Sequence, residues 1–137
     1  MTDVVLNKKE SIERCIRQIR IYYERPSKMP FEDDHFKQDA IAANLQRAAE
    51  QVIDMANHAI KKKKLGLPKE SKESFEILAK AHVISPELAR KLQGMVGFRN
   101  ILVHEYQSLD IDIFVDVIEH RLDDLIIFSN HLMEYLG

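Results

Sequence analysis

The chain has 137 residues, 45% of them hydrophobic and 31% charged, with a formal net charge of -2. That length suits one domain with a real core, and that composition excludes a disordered tail. The small negative charge argues against a dedicated nucleic-acid wrapper, and the longest apolar runs, such as Leu125-Ile126-Ile127-Phe128, are too short to cross a bilayer.

A first helix is expected from about Lys8 to Tyr23, because Ile12, Cys15, Ile16, Ile19 and Tyr23 recur at the three-and-four spacing of one apolar stripe. Cys15 is the only cysteine, which excludes an internal disulfide and cysteine-based zinc motifs and leaves it packed in a core or interface. Pro26 and Pro30 then impose an extended connection, since each lacks an amide proton and restricts its predecessor. A long second helix starts behind Asp33 or Asp34 as cap and runs into Lys61-Lys62-Lys63-Lys64, with Gly66 and Pro68 ending it. Ser71 or Ser74 opens a short helix containing Phe75 and Leu78.

Ser85-Pro86-Glu87 is a start signal with serine as cap and proline at the first helical position. The helix it opens carries Leu88, Leu92, Met95 and Val96 inward, and its Gly94 and Gly97 suit a close approach by a backbone or ligand. Asp110 caps a fifth helix with Phe114, Val117, Ile118, Leu125, Phe128 and Leu132 along one face. Period-two strand patterns are absent. The predicted fold is all-α, an antiparallel bundle of four main helices plus a short one.

Charge is unevenly distributed along this frame. Lys8, Lys9, Arg14, Arg17, Arg20 and Arg25 load the first helix, whereas Asp110, Asp112, Asp116, Glu119, Asp123 and Asp124 make the end acidic. Such a field can steer a polyanion to one face, although a lysine run at a helix end is more often simply solvated. Asp3, Lys8, Lys9 and Glu10 also stand where a signal peptide needs its apolar region, so a cytoplasmic location without membrane association is expected.

The stretch Arg99-Asn100-Ile101-Leu102-Val103-His104, followed by Glu105 and Tyr106, concentrates the chemistry. Arginine is charged at any physiological pH, while an unperturbed imidazole titrates near pH ~6.5. A fixed cation beside a proton carrier is what phosphodiester cleavage needs without a metal. Arg99 and His104 are nevertheless about 140° apart around a straight helix, too far to grip one phosphate. Either the helix ends or kinks before His104, or two copies of the motif meet. Asn100 and His104 share a face as an i, i+4 pair, so Asn100 can orient the imidazole or contact substrate, and Tyr106 lies just past the helix end. Asp54 and His58 form another i, i+4 pair, read as a hydrogen-bonded pair on the surface or lining a cleft, because no third metal ligand is evident.

The Arg-x4-His-x-Tyr pattern of Arg99, His104 and Tyr106 resembles the signature of HepT-type toxins, small helical ribonucleases of the HEPN superfamily. Gln38-Asp39-Ala40, Asn44-Leu45-Gln46, Asp54-Met55-Ala56-Asn57-His58 and Phe75-Glu76-Ile77-Leu78 extend the resemblance over nearly the whole chain, as a single domain spanning 1–137. The resemblance implies a homodimeric, metal-independent endoribonuclease that needs no cofactor, with paired motifs in a cleft between subunits. It further implies Arg99 and His104 as catalytic residues with Asn100 and Tyr106 in support, RNA as substrate, and a minimal nucleotidyltransferase antitoxin that adenylylates Tyr106. The alternative is a non-catalytic helical module that binds nucleotide or a partner, and a bundle whose motif merely caps a helix is a third reading. The imidazole favours the enzyme, because binding alone does not require it.

Overall fold

The computed structural model describes residues 2–137. Six α-helices succeed one another: α1 (Thr2–Glu24), α2 (His35–Lys63), α3 (Ser71–Lys80), α4 (Pro86–His104), α5 (Ile111–His120) and α6 (Leu122–Leu136). Short 3₁₀ turns at Phe31–Asp33 and Tyr106–Ser108 lead into α2 and out of α4. No strand occurs among the described residues, and none of their helices is long and apolar enough to cross a membrane.

The helices begin where local chemistry dictates. The Asp34 carboxylate accepts the amide proton of Lys37 at 3.0 Å, and the Ser85 hydroxyl accepts that of Leu88 at the same distance. Asp110 caps α5 by accepting from the Asp112 amide. α2 ends at Lys64 in the left-handed region (φ 54), so the lysine block unwinds into the chain leading to Gly66 and Pro68, and all four ammonium-bearing side chains stay exposed.

α1 starts earlier than its most regular spacing suggests, and Val5 continues the Ile12–Ile19 stripe by one further heptad step into the core. The larger departure is at the other end. The single fifth helix expected behind Asp110 is divided at Arg121, which closes α5 through its amide to Val117. Phe114, Val117 and Ile118 are buried from α5, and Leu122, Leu125, Phe128 and Leu132 from α6. The change of direction lets α5 pack Phe114 beside Phe31 and Phe98, while α6 lies against α1, α2 and α4.

One cluster of buried side chains, from Val5 to Leu132, joins all six helices. Cys15 belongs to it. The basic load of α1 meets the acid of the C-terminal helices: Arg20 pairs with Asp123 at 2.7 Å, and the Tyr23 hydroxyl donates to Glu119. Part of the charge asymmetry is thus spent on packing α1 beside α6, and Tyr23 packs edge-on to Phe31 instead of presenting an open ring.

Candidate active site

α4 delivers the motif as one uninterrupted helix. It closes immediately after His104, where the Glu105 amide donates to the Ile101 carbonyl at 2.8 Å. The helix runs through both positions without a break, so the angular separation of Arg99 and His104 stands within one chain. Arg99 is largely covered, with its side chain 21% exposed and its Nε buried without a hydrogen-bond partner among the described residues. Its guanidinium lies 3.8 Å from the Glu50 carboxylate of α2. Arg99 and Asn100 line one end of a shallow cavity of about 280 Å³, completed by Glu70, Ser71, Lys72 and Val96.

His104 is exposed at the tip of α4, and no side-chain hydrogen bond joins it to Asn100 among the described residues. The orienting role expected for Asn100 therefore has no contact behind it in the single chain, and Asn100 instead shares the cavity wall with Arg99. Asp54 and His58 are not the hydrogen-bonded pair their spacing suggested. Asp54 faces Lys8 of α1 at 3.5 Å, and His58 Nε2 is buried with no partner. No group of three histidine, cysteine or acidic side chains able to hold a metal ion occurs among the described residues.

Tyr106 sits on the far side of the helix end. The 3₁₀ turn after α4 folds its ring back toward α2, and its hydroxyl donates to Asp39 Oδ1 at 2.6 Å. Burial first, and then the hydrogen bond and charge of Asp39, push its ionisation well above the usual phenol range. Tyr106 and Asp39 line a larger cavity of about 690 Å³ with Gln38, Gln46 and Gln107. Arg99 and Tyr106 thus open onto different cavities of the same chain. Glu50 and Asp39, the two carboxylates that touch them, carried no assignment from sequence, since both contacts cross from α2 to distant residues.

The chain is thus a small all-α protein that carries an arginine and an imidazole on one helix and a phenol on the turn behind it. The chain belongs to the HepT-like ribonuclease family, whose model matches residues 12–132. It is 44% identical over 124 residues to an mRNA nuclease HepT of Shewanella oneidensis, covering 90% of this chain and 92% of that one. A tRNA nuclease HepT of Aphanizomenon flos-aquae is 31% identical over 102 residues, 74% of this chain and 69% of that protein. Among solved structures, a tri-AMPylated Shewanella oneidensis HEPN toxin in complex with its MNT antitoxin superposes with a TM-score of 0.91 at 41% identity, covering 98% and 99% of the two chains. A Bacillus subtilis cytosolic protein, YutE, shares the fold at 17% identity and a TM-score of 0.76, covering 95% and 88%.

Proposed function

We propose that this chain is the toxin of a toxin–antitoxin pair, an endoribonuclease that cuts RNA through its own 2′-hydroxyl and is silenced by a minimal nucleotidyltransferase. The observation that carries this reading is Arg99, whose partly exposed side chain makes no hydrogen bond among the described residues and meets Glu50 only at 3.8 Å. A guanidinium held this way retains donors for a phosphate, and the planar fork matches two phosphate oxygens at once.

In the proposed reaction His104 takes the proton of the 2′-hydroxyl, the 2′-oxygen attacks phosphorus, and the bond to the 5′-oxygen breaks. An imidazole returns a proton to that leaving oxygen, giving a cyclic phosphate and a free 5′-hydroxyl. Arg99 stabilises the charge that builds on the non-bridging oxygens. General acid–base catalysis contributes about 10²- to 10⁴-fold in such steps. Because α4 is unbroken between Arg99 and His104, the anion site is completed by a second copy of the chain, so that two motifs face one cleft. Asn100 lines that cleft and positions substrate. Tyr106 is the residue the antitoxin adenylylates, and a phosphodiester with its nucleoside beside His104 fills the cleft between the two copies that RNA occupies and competes there for an Arg99. Action in the cytoplasm fits both the RNA substrate and the nucleotide-using partner.

The test is incubation of the purified protein with total RNA in a chelator. Cleavage that disappears in His104→Ala and is suppressed by prior treatment with the nucleotidyltransferase and ATP is the expected result. Absence of cleavage by the untreated, unmodified protein at every concentration would leave the chain as a binding module.

A further inference from the structure

Asp39 enters no ion pair among the described residues, and its side-chain partner is the Tyr106 hydroxyl, reached across 67 positions of sequence. The carboxylate stands on the exposed face of α2. Both groups open onto a cavity of about 690 Å³, inside the range of about 300–1,000 Å³ that small-molecule sites occupy. Gln46 and Gln107 add amides to its wall. This is an arrangement that a tether between a loop and a helix does not require: the phenolic proton already points at a base, and the space beside it is open.

A phenol that attacks phosphorus must lose its proton as the new bond forms. The covered, carboxylate-bound hydroxyl of Tyr106 is protonated at neutral pH, so phenolate is scarce unless a neighbouring group takes the proton during attack. We infer that Asp39 is the general base for adenylylation of Tyr106, so that the toxin supplies from α2 the proton acceptor for its own modification. This inference rests on the assignment of Tyr106 as the modified residue. In the step, a lone pair of Tyr106 Oη attacks the α-phosphorus of ATP, and the Oη–P bond forms as the bond from that phosphorus to the β-phosphate oxygen breaks. Pyrophosphate leaves with the electron pair, and the proton passes from Oη to Asp39 Oδ1 and then to solvent. The partner enzyme holds the triphosphate, and Asp39 handles the proton.

The same geometry governs the product. Once Asp39 has released its proton, a carboxylate and a new phosphodiester anion stand where a hydrogen bond was. Their repulsion drives the adenylylated side chain away from α2, outward from the cavity wall.

The experiment measures initial rates of AMP incorporation from ATP labelled at its α-phosphate, with the full-length chain and the nucleotidyltransferase, across a range of pH. Asp39→Asn keeps an oxygen that can accept the phenolic hydrogen bond but cannot take up the proton. Its maximal rate is expected to fall about 10²- to 10⁴-fold at neutral pH, with KM for the toxin little changed and the deficit narrowing as pH rises. Asp39→Glu is expected to recover part of the rate, and RNA cleavage by Asp39→Asn to match the wild type. Wild-type labelling of Asp39→Asn, with Tyr106→Phe unlabelled, would overturn the base and keep the acceptor, and so would a defect confined to KM. Full labelling of Tyr106→Phe would overturn the acceptor assignment and the base with it.

Discussion

The Arg99 guanidinium on α4 and the Glu50 carboxylate on α2 lie 3.8 Å apart, at the limit of an ion pair and with Glu50 44% exposed. At that distance and exposure the carboxylate fixes Arg99 weakly while subtracting from its attraction for a polyanion. Pairs of this kind contribute about 0.2–1 kcal/mol, so Glu50→Gln is expected to lower KM for RNA by about 1.4- to fivefold. Added salt should shrink the difference. Steady-state cleavage measured at low and moderate ionic strength checks this, and a higher KM would mean that Glu50 chiefly positions the guanidinium.

His104 is exposed and forms no side-chain hydrogen bond among the described residues, so its removal should leave the fold alone. His104→Ala should lose cleavage by about 10²-fold or more, while stability stays within about 0.5 kcal/mol. Arg99→Lys keeps the charge but not the fork, and is expected to cleave poorly. Paired cleavage and thermal-unfolding measurements separate chemistry from folding, and a His104→Ala protein that cuts at the wild-type rate rejects the mechanism.

Two phenols are held in the neutral form by carboxylates. Burial, followed by the bond to Glu119, pushes Tyr23 up to about 12, and Tyr106 moves in the same direction beside Asp39. An unfolded tyrosine loses its proton near pH ~10. Above that pH the native chain holds protons that the unfolded chain has lost, so stability must fall as pH rises from about 10 toward 12. Below that window these residues contribute no slope. Unfolding across alkaline pH should therefore be flatter for Tyr23→Phe. In an ultraviolet titration, Asp39→Asn should bring forward the ionisation that Tyr106→Phe removes.

α4 holds two poor helix formers, Gly94 and Gly97, without a break. A Cβ at Gly94 meets nothing within 4 Å, and one at Gly97 meets the flexible Lys72 ammonium at 3.6 Å. Within one chain both positions accept alanine, and each substitution should add up to about 1 kcal/mol of stability. If that gain comes with weaker self-association in sedimentation, the glycines serve the contact between copies. A loss of stability in dilute protein would contradict the open face.

The caps at Ser85 and Asp110 were legible, and that of α2 to within Asp33 or Asp34, because a helix start is settled by three or four adjacent residues. The bend at Arg121 was not. Ile118 and Leu122 keep the helical four-residue step across it, and neither proline nor glycine marks the place. The motif itself could be read from Arg99, His104 and Tyr106, but its surroundings could not. Asp39 and Glu50 meet their partners only after α2 has packed against the end of α4, and spacing carries no record of that. Spacing even misled at Asp54 and His58, where an i, i+4 pair gave way to a contact with Lys8 from another helix.

The unbroken run of α4 from Arg99 to His104 has a consequence for dosage. In the proposed mechanism, a helix that carries the cation and the proton shuttle about 140° apart works on one anion only when a second copy faces it. On that mechanism, freshly made, dilute protomers are inert, and toxicity climbs more steeply than abundance as encounters between them become frequent. A cell would have an interval between synthesis and damage in which the silencing enzyme can act.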